Sequence, residues 1–305
     1  MNWLYNNEEI TDISQFPPNT FGFVYEVSTP EGKKYIGKKV LYHNKKKDIL
    51  KVIESFLGYK GNVNLILVDN SSNDALSCLA NNDRIIYIFN NYNLGFGKAH
   101  NIALDKAYSL NSKYHIFLNP DIYFIPNIID EIIKKIESDR SIGLISPKIL
   151  YPNNETQFLC KLLPTPIDLI IRRFITIDSV RKKITNKYEL RFFDYSKEIE
   201  PPTVSGCFMF IKTSIIRKVG GFDERFFMYL EDVDLSRRIA EVSKVLFYPE
   251  VTVIHEYEKG SYKNKILLYY HIKSAIQYFN KWGWIYDSKR KEINNTTLKM
   301  LNYKK

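Results

Sequence analysis

The sequence predicts an α/β protein with a Rossmann-like, mostly parallel central sheet flanked by helices. From Val40 onward, short apolar runs alternate with amphipathic segments, the pattern of successive βαβ units. The apolar run Tyr114–Leu118 stops abruptly at Asn119-Pro120-Asp121, as a buried parallel strand does where it meets a loop. The chain has 305 residues, 45% of them hydrophobic, enough to bury one large core of this class.

Residues 1–39 follow a different pattern. Residues 21–27, the turn Pro30-Glu31-Gly32 and residues 34–41 read as a β-hairpin. Here Gly22-Phe23-Val24-Tyr25 and Lys34-Tyr35-Ile36-Gly37-Lys38-Lys39 resemble the opening hairpin of the GIY-YIG endonucleases. The resemblance covers the hairpin alone. The Arg and Glu that such nucleases carry on later helices have no place assigned by the sequence. Residues 1–39 are therefore expected to be a small N-terminal β-hairpin extension, not a working nuclease, and residues 40–305 the main domain.

Within 40–305, residues 40–42 end a strand and 48–57 have helical spacing. Residues 63–68 form a strand ending at Asp69, 74–80 a short helix, and Ile85–Phe89 a strand. A helix over 97–110 leads to the strand Tyr114–Leu118. Isoleucines at 128, 129, 132, 133 and 136 give 127–137 a helical face, and 142–145 is the next strand. Residues 151–200 break the rhythm with Pro, Asn and mixed charge around the apolar patch 167–171, and read as an irregular excursion or lid. A strand over 204–211, a helix over 214–219 ended by Gly220-Gly221, a helix over 229–241, and strands over 245–248 and 251–255 follow. A long aromatic-rich helix covers 262–282.

The net charge of +10 suits anionic partners: nucleic acid, an anionic lipid surface or phosphorylated substrates. Cys78, Cys160 and Cys207 are odd in number and scattered, which excludes a disulfide framework and a cysteine metal site and predicts a reducing compartment. Glu8, Glu9 and Asp12 come early with no apolar block after them, and no apolar run reaches bilayer length. A cytoplasmic location is expected.

Four loops carry candidate chemistry. Asp69-Asn70-Ser71-Ser72 follows a strand; its carboxylate can accept from a base N–H or a ribose, or can cap a helix. Asn93-Leu94-Gly95-Phe96-Gly97-Lys98-Ala99-His100-Asn101 brings two glycines to a helix N-terminus, where backbone N–H groups favour anions. Asn119-Pro120-Asp121 sets a carboxylate past a strand end, where it can hold a hard divalent cation and through it phosphate oxygens, or can serve as a turn capping the helix that begins near Pro126. Glu231-Asp232-Val233-Asp234 opens a helix directly after an aromatic run. The helix dipole favours acids there, and an acid against an apolar wall can also be tuned as a general base. Asp234 is expected to face away, toward Arg237 or Arg238.

Taken together, Val68-Asp69-Asn70-Ser71, Asn93-Leu94-Gly95-Phe96-Gly97, Leu118-Asn119-Pro120-Asp121, Ser205-Gly206-Cys207-Phe208-Met209, Gly221-Phe222-Asp223 and Glu231-Asp232-Val233-Asp234 resemble, in order and spacing, the family 2 glycosyltransferases of GT-A fold. Within that family the chain is similar to bacterial rhamnosyltransferases of O-antigen and capsule assembly. The resemblance implies a nucleotide-binding half over 40–125, an acceptor half over 126–260 and a C-terminal helical segment over 261–305. Position by position it implies that Tyr42, Asn44 and Asp69 hold the base or ribose, and that Asn93, Lys98 and Asn101 line the donor loop. Asn119 stands where the family's metal motif has its first acid. Asp121 and His255 would hold a divalent metal, Mg or Mn; Gly206 and Cys207 would wall the donor sugar. Asp232 would be the catalytic base, with Glu231 assisting the acceptor. A nucleotide-sugar donor and a polyprenyl-diphosphate-linked glycan acceptor are the implied partners, and nucleic acid is not expected.

One departure stands out. The family opens with an almost wholly apolar strand, whereas residues 35–41 here contain two lysines and a glycine. At the other end, Tyr269, Tyr270, Tyr278, Phe279, Trp282 and Trp284 lie among Lys265, Lys273 and Lys281. That mixture suits a membrane interface, peripheral to the inner face of the cell membrane, or a helix packed on the domain with a solvated lysine face.

Overall fold

The computed structural model describes residues 3–5, 8–10, 23–28, 34–39, 42–256 and 265–303, with side chains from residue 49 onward except 173, 174 and 265. Two antiparallel hairpins open the chain: β1 (Trp3–Tyr5) with β2 (Glu8–Ile10), and β3 (Phe23–Ser28) with β4 (Lys34–Lys39), in which Glu26 stands opposite Ile36. The second is the hairpin the sequence predicts.

Helix α1 (Tyr42–Leu57) leads to β5 (Leu65–Asp69), which pairs in parallel with β6 (Ile85–Phe89). Then come α2 (Phe96–Ser109), β7 (Tyr114–Leu118), β8 (Ile122–Tyr123), α3 (Ile128–Ser138) and β9 (Ile142–Leu150). The 151–200 excursion carries α4 (Pro166–Leu169) and α5 (Asp178–Tyr188). After it, β10 (Phe208–Lys212), α6 (Thr213–Val219), α7 (Glu231–Ala240), β11 (Lys244–His255), α8 (Lys265–Trp282) and α9 (Ser288–Met300) complete the described chain.

The larger sheet has the order β7-β10-β9-β11-β8. Its one parallel neighbour pair is β9–β11; β10 runs against both its neighbours and β8 runs against β11. Thus β7, β9 and β11 run one way, with β10 and β8 against them, and the separate β5–β6 pair is parallel. The apolar run Phe208-Met209-Phe210-Ile211 is buried on both faces, so its composition carries no sign of its direction. Its side chains alternate strictly. Phe208 and Phe210 pack with Val52, Phe56 and the α3 isoleucines, while Met209 and Ile211 pack with Phe117, Leu235, Tyr278 and Phe279 on the other face. The 3.6-residue spacing of Ile129, Ile132 and Ile136 buries one stripe of α3 against the sheet.

Other boundaries also differ from expectation. Tyr42 and Asn44 lie in the first turn of α1 and not in a loop after a strand; their side chains fall outside the described residues. Residues 74–80 hold only a 3-10 turn at Ser77–Leu79. Two expected strands merge into β11, with an irregularity between Tyr248 and Thr252. Helix α7 begins at Glu231 because Tyr229 (φ 72°) and Leu230 (φ 68°) are left-handed. That conformation costs strain in non-glycine residues and must be imposed by the surroundings.

Candidate active site

The four loops converge through short contacts. Asp232, in the first turn of α7, accepts the Gly206 N–H on Oδ2 at 2.9 Å and the Val233 N–H on Oδ1 at 2.8 Å. The next residue, Cys207, offers its carbonyl to the Asn119 N–H at 2.9 Å, fixing the turn that carries Asp121. Gly206 and Cys207 therefore join the Asp232 helix to the Asp121 turn through adjacent peptide groups. Residue 206 is tightly enclosed: a Cβ there would meet Asp232 Cβ at 3.0 Å and the Phe96 ring at 3.4 Å, so Asp232 would have to give by a few tenths of an ångström.

Asp121 faces His255, whose Nε2 is 3.2 Å from Asp121 Oδ1 and 3.4 Å from Asn119 Nδ2. Gln157 holds the other side of this imidazole. Its Nε2 donates to the carbonyls of His255 and Leu150, so Oε1 is the atom turned to His255 Nδ1, at 3.0 Å. An amide oxygen only accepts, so Nδ1 carries the proton and, in the neutral ring, Nε2 presents its lone pair toward Asp121. Burial opposes a charge on His255, but Asp121 and Cys207 together outweigh it and raise the group to about 9. Asp121 Oδ1 is buried and receives no hydrogen bond of good geometry. A carboxylate oxygen 3.2 Å from an oriented imidazole is a donor set that fits a divalent cation once the ring gives up its Nε2 proton. Among the described residues there is no cluster of three or more His, Cys, Asp or Glu, so such an ion would complete its shell with ligand oxygens and water.

Glu231 is buried, and its Oε2 finds no hydrogen-bond partner among the described residues. Burial first, then the charge of Asp232, push its carboxyl well above the usual range. Glu231 is thus held neutral, while the neighbouring Asp232 carboxylate accepts two backbone N–H groups.

On the nucleotide side, Asp69 is buried, accepting the Ser71 N–H at 2.9 Å and the Tyr87 hydroxyl at 2.6 Å. Asn90 donates to Asn70, which donates to the Gly95 carbonyl, tying the ends of β5 and β6 to the glycine loop. Asn93 accepts the Gly95 N–H and shapes that loop. Gly95 has φ 87°, and a Cβ there would meet the Phe227 carbonyl oxygen at 2.4 Å. Lys98 is half exposed and pairs with Glu224 at 3.8 Å. Asn101 binds the Phe222 backbone at both its N–H and C=O, so it braces the loop before α7. Sequence reasoning missed Tyr87, Asn90 and Gln157. Tyr87 lies on a strand and Asn90 just past its end, with no motif around them, while Gln157 stands in the irregular excursion. Nothing local marks any of them.

Asp234 faces away from the site, as expected. It is fully buried and accepts from Arg238 at 2.8 Å, Lys281 at 2.6 Å and the Trp282 indole at 2.8 Å. Arg237 pairs with Asp287 and lies over the Trp282 ring. These contacts pin α8 onto α7, and Tyr278 and Phe279 are core residues, not membrane contacts.

The glycosyl transferase family 2 model matches residues 40–220, and the segE endonuclease GIY-YIG domain model matches residues 3–56. The chain is 27% identical over 206 residues to the N-acetylglucosaminyl-diphospho-decaprenol L-rhamnosyltransferase of Mycobacterium tuberculosis; the match covers 63% of this chain and 66% of that protein. It is 28% identical over 194 residues to rhamnosyltransferase WbbL of Escherichia coli, covering 60% of this chain and 69% of WbbL. Among solved structures it is similar to GalNAc-T7 with UDP, GalNAc and Mn2+ (TM-score 0.54, 16% identity, 77% of this chain and 46% of that one). It is also similar to the mannosyltransferase PcManGT of Pyrobaculum calidifontis with GDP-Man and Mn2+ (TM-score 0.51, 15% identity, 76% of this chain and 61% of that one). These likenesses establish the GT-A fold, and with the family match over more than half its length, the chain belongs to glycosyl transferase family 2.

Proposed function

We propose that the protein transfers a sugar, with inversion, from a nucleotide donor to a lipid-linked glycan acceptor. The observation that supports this reading is the Gly206-Cys207 junction, which links the Asp232 carboxylate and the turn carrying Asp121, itself beside His255, through adjacent peptide groups. Asp232 takes the proton of the acceptor hydroxyl as that oxygen attacks the anomeric carbon. Neutral Glu231 keeps a proton and donates a hydrogen bond to the acceptor. Asp69 binds base or ribose, and the Gly95-Phe96-Gly97 turn lets the donor approach backbone. Asn93 holds that turn, and Lys98 brings positive charge to the donor side. Gly206 and Cys207 wall the donor sugar beside Asn119. Mg2+ or Mn2+ held by Asp121 and His255 would neutralise the charge of the departing diphosphate.

The named activities of the relatives support L-rhamnose as the sugar and a polyprenyl-diphosphate-linked glycan as the acceptor; dTDP-rhamnose as the donor and O-antigen or capsule as the product are part of the proposal. A cytoplasmic, peripheral membrane location follows from such an acceptor. No helix among the described residues is long and apolar enough to cross a membrane. Instead Ile266, Tyr269, Lys273 and Ile276 form one exposed stripe on α8, a face suited to an anionic lipid surface. Residues 1–39 are an extension to the transferase unit; a plasmid-nicking assay with no cleavage is the result expected of them.

Thermal-shift measurements with dTDP-, UDP- and GDP-sugars, with and without Mg2+ or Mn2+, test the donor assignment. A nucleotide at about 100 times its Kd raises stability by about 2.7 kcal/mol. One nucleotide class shifting the melting temperature, more so with metal, is expected; no shift with any of them contradicts the reading.

A further inference from the structure

The 151–200 excursion and α9 enclose a cavity of about 780 Å³. Helices α4 and α5 wall one side, and α9 with the loop before it walls the other. Residues 162 and 163 tie the two walls together. The Leu162 N–H donates to the Tyr188 carbonyl at 3.0 Å, and Leu163 exchanges two hydrogen bonds of 2.8 Å with the Asn294 side chain. The same stretch leads toward Asp232. Lys161 and Thr203 exchange backbone N–H and C=O bonds, and Gly206, just beyond Thr203, binds the Asp232 carboxylate.

The lining is amphiphilic. Ile167, Ile184 and Leu298 supply branched apolar surface, and Ile285 and Tyr286, 90% and 94% exposed, stand at the rim. Their loop is braced: buried Arg290 donates to the carbonyls of Gly283, Trp284 and Ile285. A fixed loop that keeps two large apolar side chains in water marks a contact with something apolar. Both acids of the lining are already satisfied. Asp168 accepts the Thr165 N–H and hydroxyl at 2.8 and 2.6 Å, and Asp287 accepts two Arg237 nitrogens at 2.7 and 2.8 Å. Lys187 and Lys291 also line the cavity, and neither has an ion pair among the described residues. Tyr188 is 4% exposed, yet its hydroxyl has no hydrogen-bond partner among the described residues. Burial first, then the charges of Asp168, Glu189 and Asp232 against that of Arg172, raise this phenol well above its usual value and keep it a neutral donor.

We propose that this cavity seats a prenyl phosphate or diphosphate, its branched chain against Ile167, Ile184, Ile285 and Leu298 and its phosphate oxygens on Lys187, Lys291 and the Tyr188 hydroxyl. The lining selects this ligand. Two unpaired cations and a neutral donor suit an anion with several acceptor oxygens, and aliphatic walls suit a hydrocarbon joined to it. The cavity takes the head and the first isoprene units of a longer chain, and exposed Ile285 and Tyr286 mark where the rest leaves for the lipid phase. With the head at Tyr188, a glycan carried on it extends toward Asp232. That the ligand is the acceptor's carrier rests on the transferase reading above; its binding in the cavity does not.

Calorimetry on the full chain with farnesyl diphosphate, inorganic diphosphate and phosphatidylglycerol vesicles tests the site. Farnesyl diphosphate should bind at least about 10-fold more tightly than inorganic diphosphate, which lacks the chain. Lys187→Ala/Lys291→Ala should weaken farnesyl diphosphate about 10-fold, and Ile285→Ser and Tyr188→Phe about 5-fold each. Urea unfolding checks that each variant is folded. No binding of farnesyl diphosphate, or binding that any one of these changes leaves unaltered, overturns the proposal. Equal affinity for inorganic diphosphate overturns it in favour of a plain anion site, and binding to the vesicles alone overturns it in favour of surface docking. The melting-temperature shift with nucleotide sugars should be the same in Lys187→Ala/Lys291→Ala as in the unmodified chain. If prenyl diphosphate binding fails while that shift persists, the cavity assignment alone falls. If the shift is absent while prenyl diphosphate still binds, the transferase reading alone falls.

Discussion

Gly206 donates its N–H to Asp232 Oδ2 at 2.9 Å, and a methyl group added at residue 206 would stand 3.0 Å from Asp232 Cβ. The proposed base is therefore held by a backbone on which an added side chain presses directly. Gly206→Ala should displace Asp232 and lower kcat by about 10- to 100-fold, with donor KM little changed. Steady-state kinetics check this; an unchanged kcat would show that the contact positions nothing that matters.

Gln157 fixes the His255 tautomer from a position that no ligand needs to touch. Gln157→Leu removes the acceptor at Nδ1 and frees the ring. Loss of such a supporting contact lowers metal affinity by about 10- to 100-fold. Titration calorimetry with Mn2+ and a nucleoside diphosphate reads the change directly.

Two histidines set an acid limit on the fold. Burial first, then repulsion from His115, hold His100 down to about 3, and burial holds His115 down to about 4, against 6.5 for the free side chain. Below about 6.5 the unfolded chain binds protons that the folded chain refuses, so stability falls as pH drops from 6.5 toward 4 and levels off above 6.5. His100 sits among the rings of Phe96, Phe117 and Phe222. His100→Phe should flatten part of that slope in urea unfolding followed between pH 4 and 8.

Asp234 is the buried anion that Arg238 and Lys281 share. Removing it leaves Lys281 with Asp223 alone and Arg238 with backbone carbonyls alone, and Asp234→Ala should destabilise the protein by about 3–5 kcal/mol. Chemical denaturation measures this, and a loss below about 1 kcal/mol would mean that water replaces the carboxylate without penalty.

Much of this was legible from local pattern. The isoleucine stripe of α3 and the breaks at Asp69 and Asn119 each follow from spacing and turn chemistry within a few residues. The direction of β10 was not legible, since a strand buried on both faces reads alike whichever way it runs. Nor were the partners of Asp69 and His255: Tyr87 lies 18 residues from Asp69 and Gln157 lies 98 from His255, and only the fold joins them. The start of α7 at Glu231 depended on left-handed Tyr229 and Leu230, residue types that carry no signal for that conformation. The aromatic content of α8 left a membrane face and a packed helix both open, because the same composition serves either use; Tyr278 and Phe279 are core, while residues 266, 269, 273 and 276 face outward.

Transfer chemistry at Asp232 is tested most directly by Asp232→Asn, which keeps the shape and the Gly206 contact but removes the base. Turnover should fall by at least about 100-fold, the lower range for a general base, while nucleotide-sugar affinity measured by calorimetry stays within about twofold of the unmodified protein. A variant that binds donor normally and still turns over at most of the original rate would contradict the account.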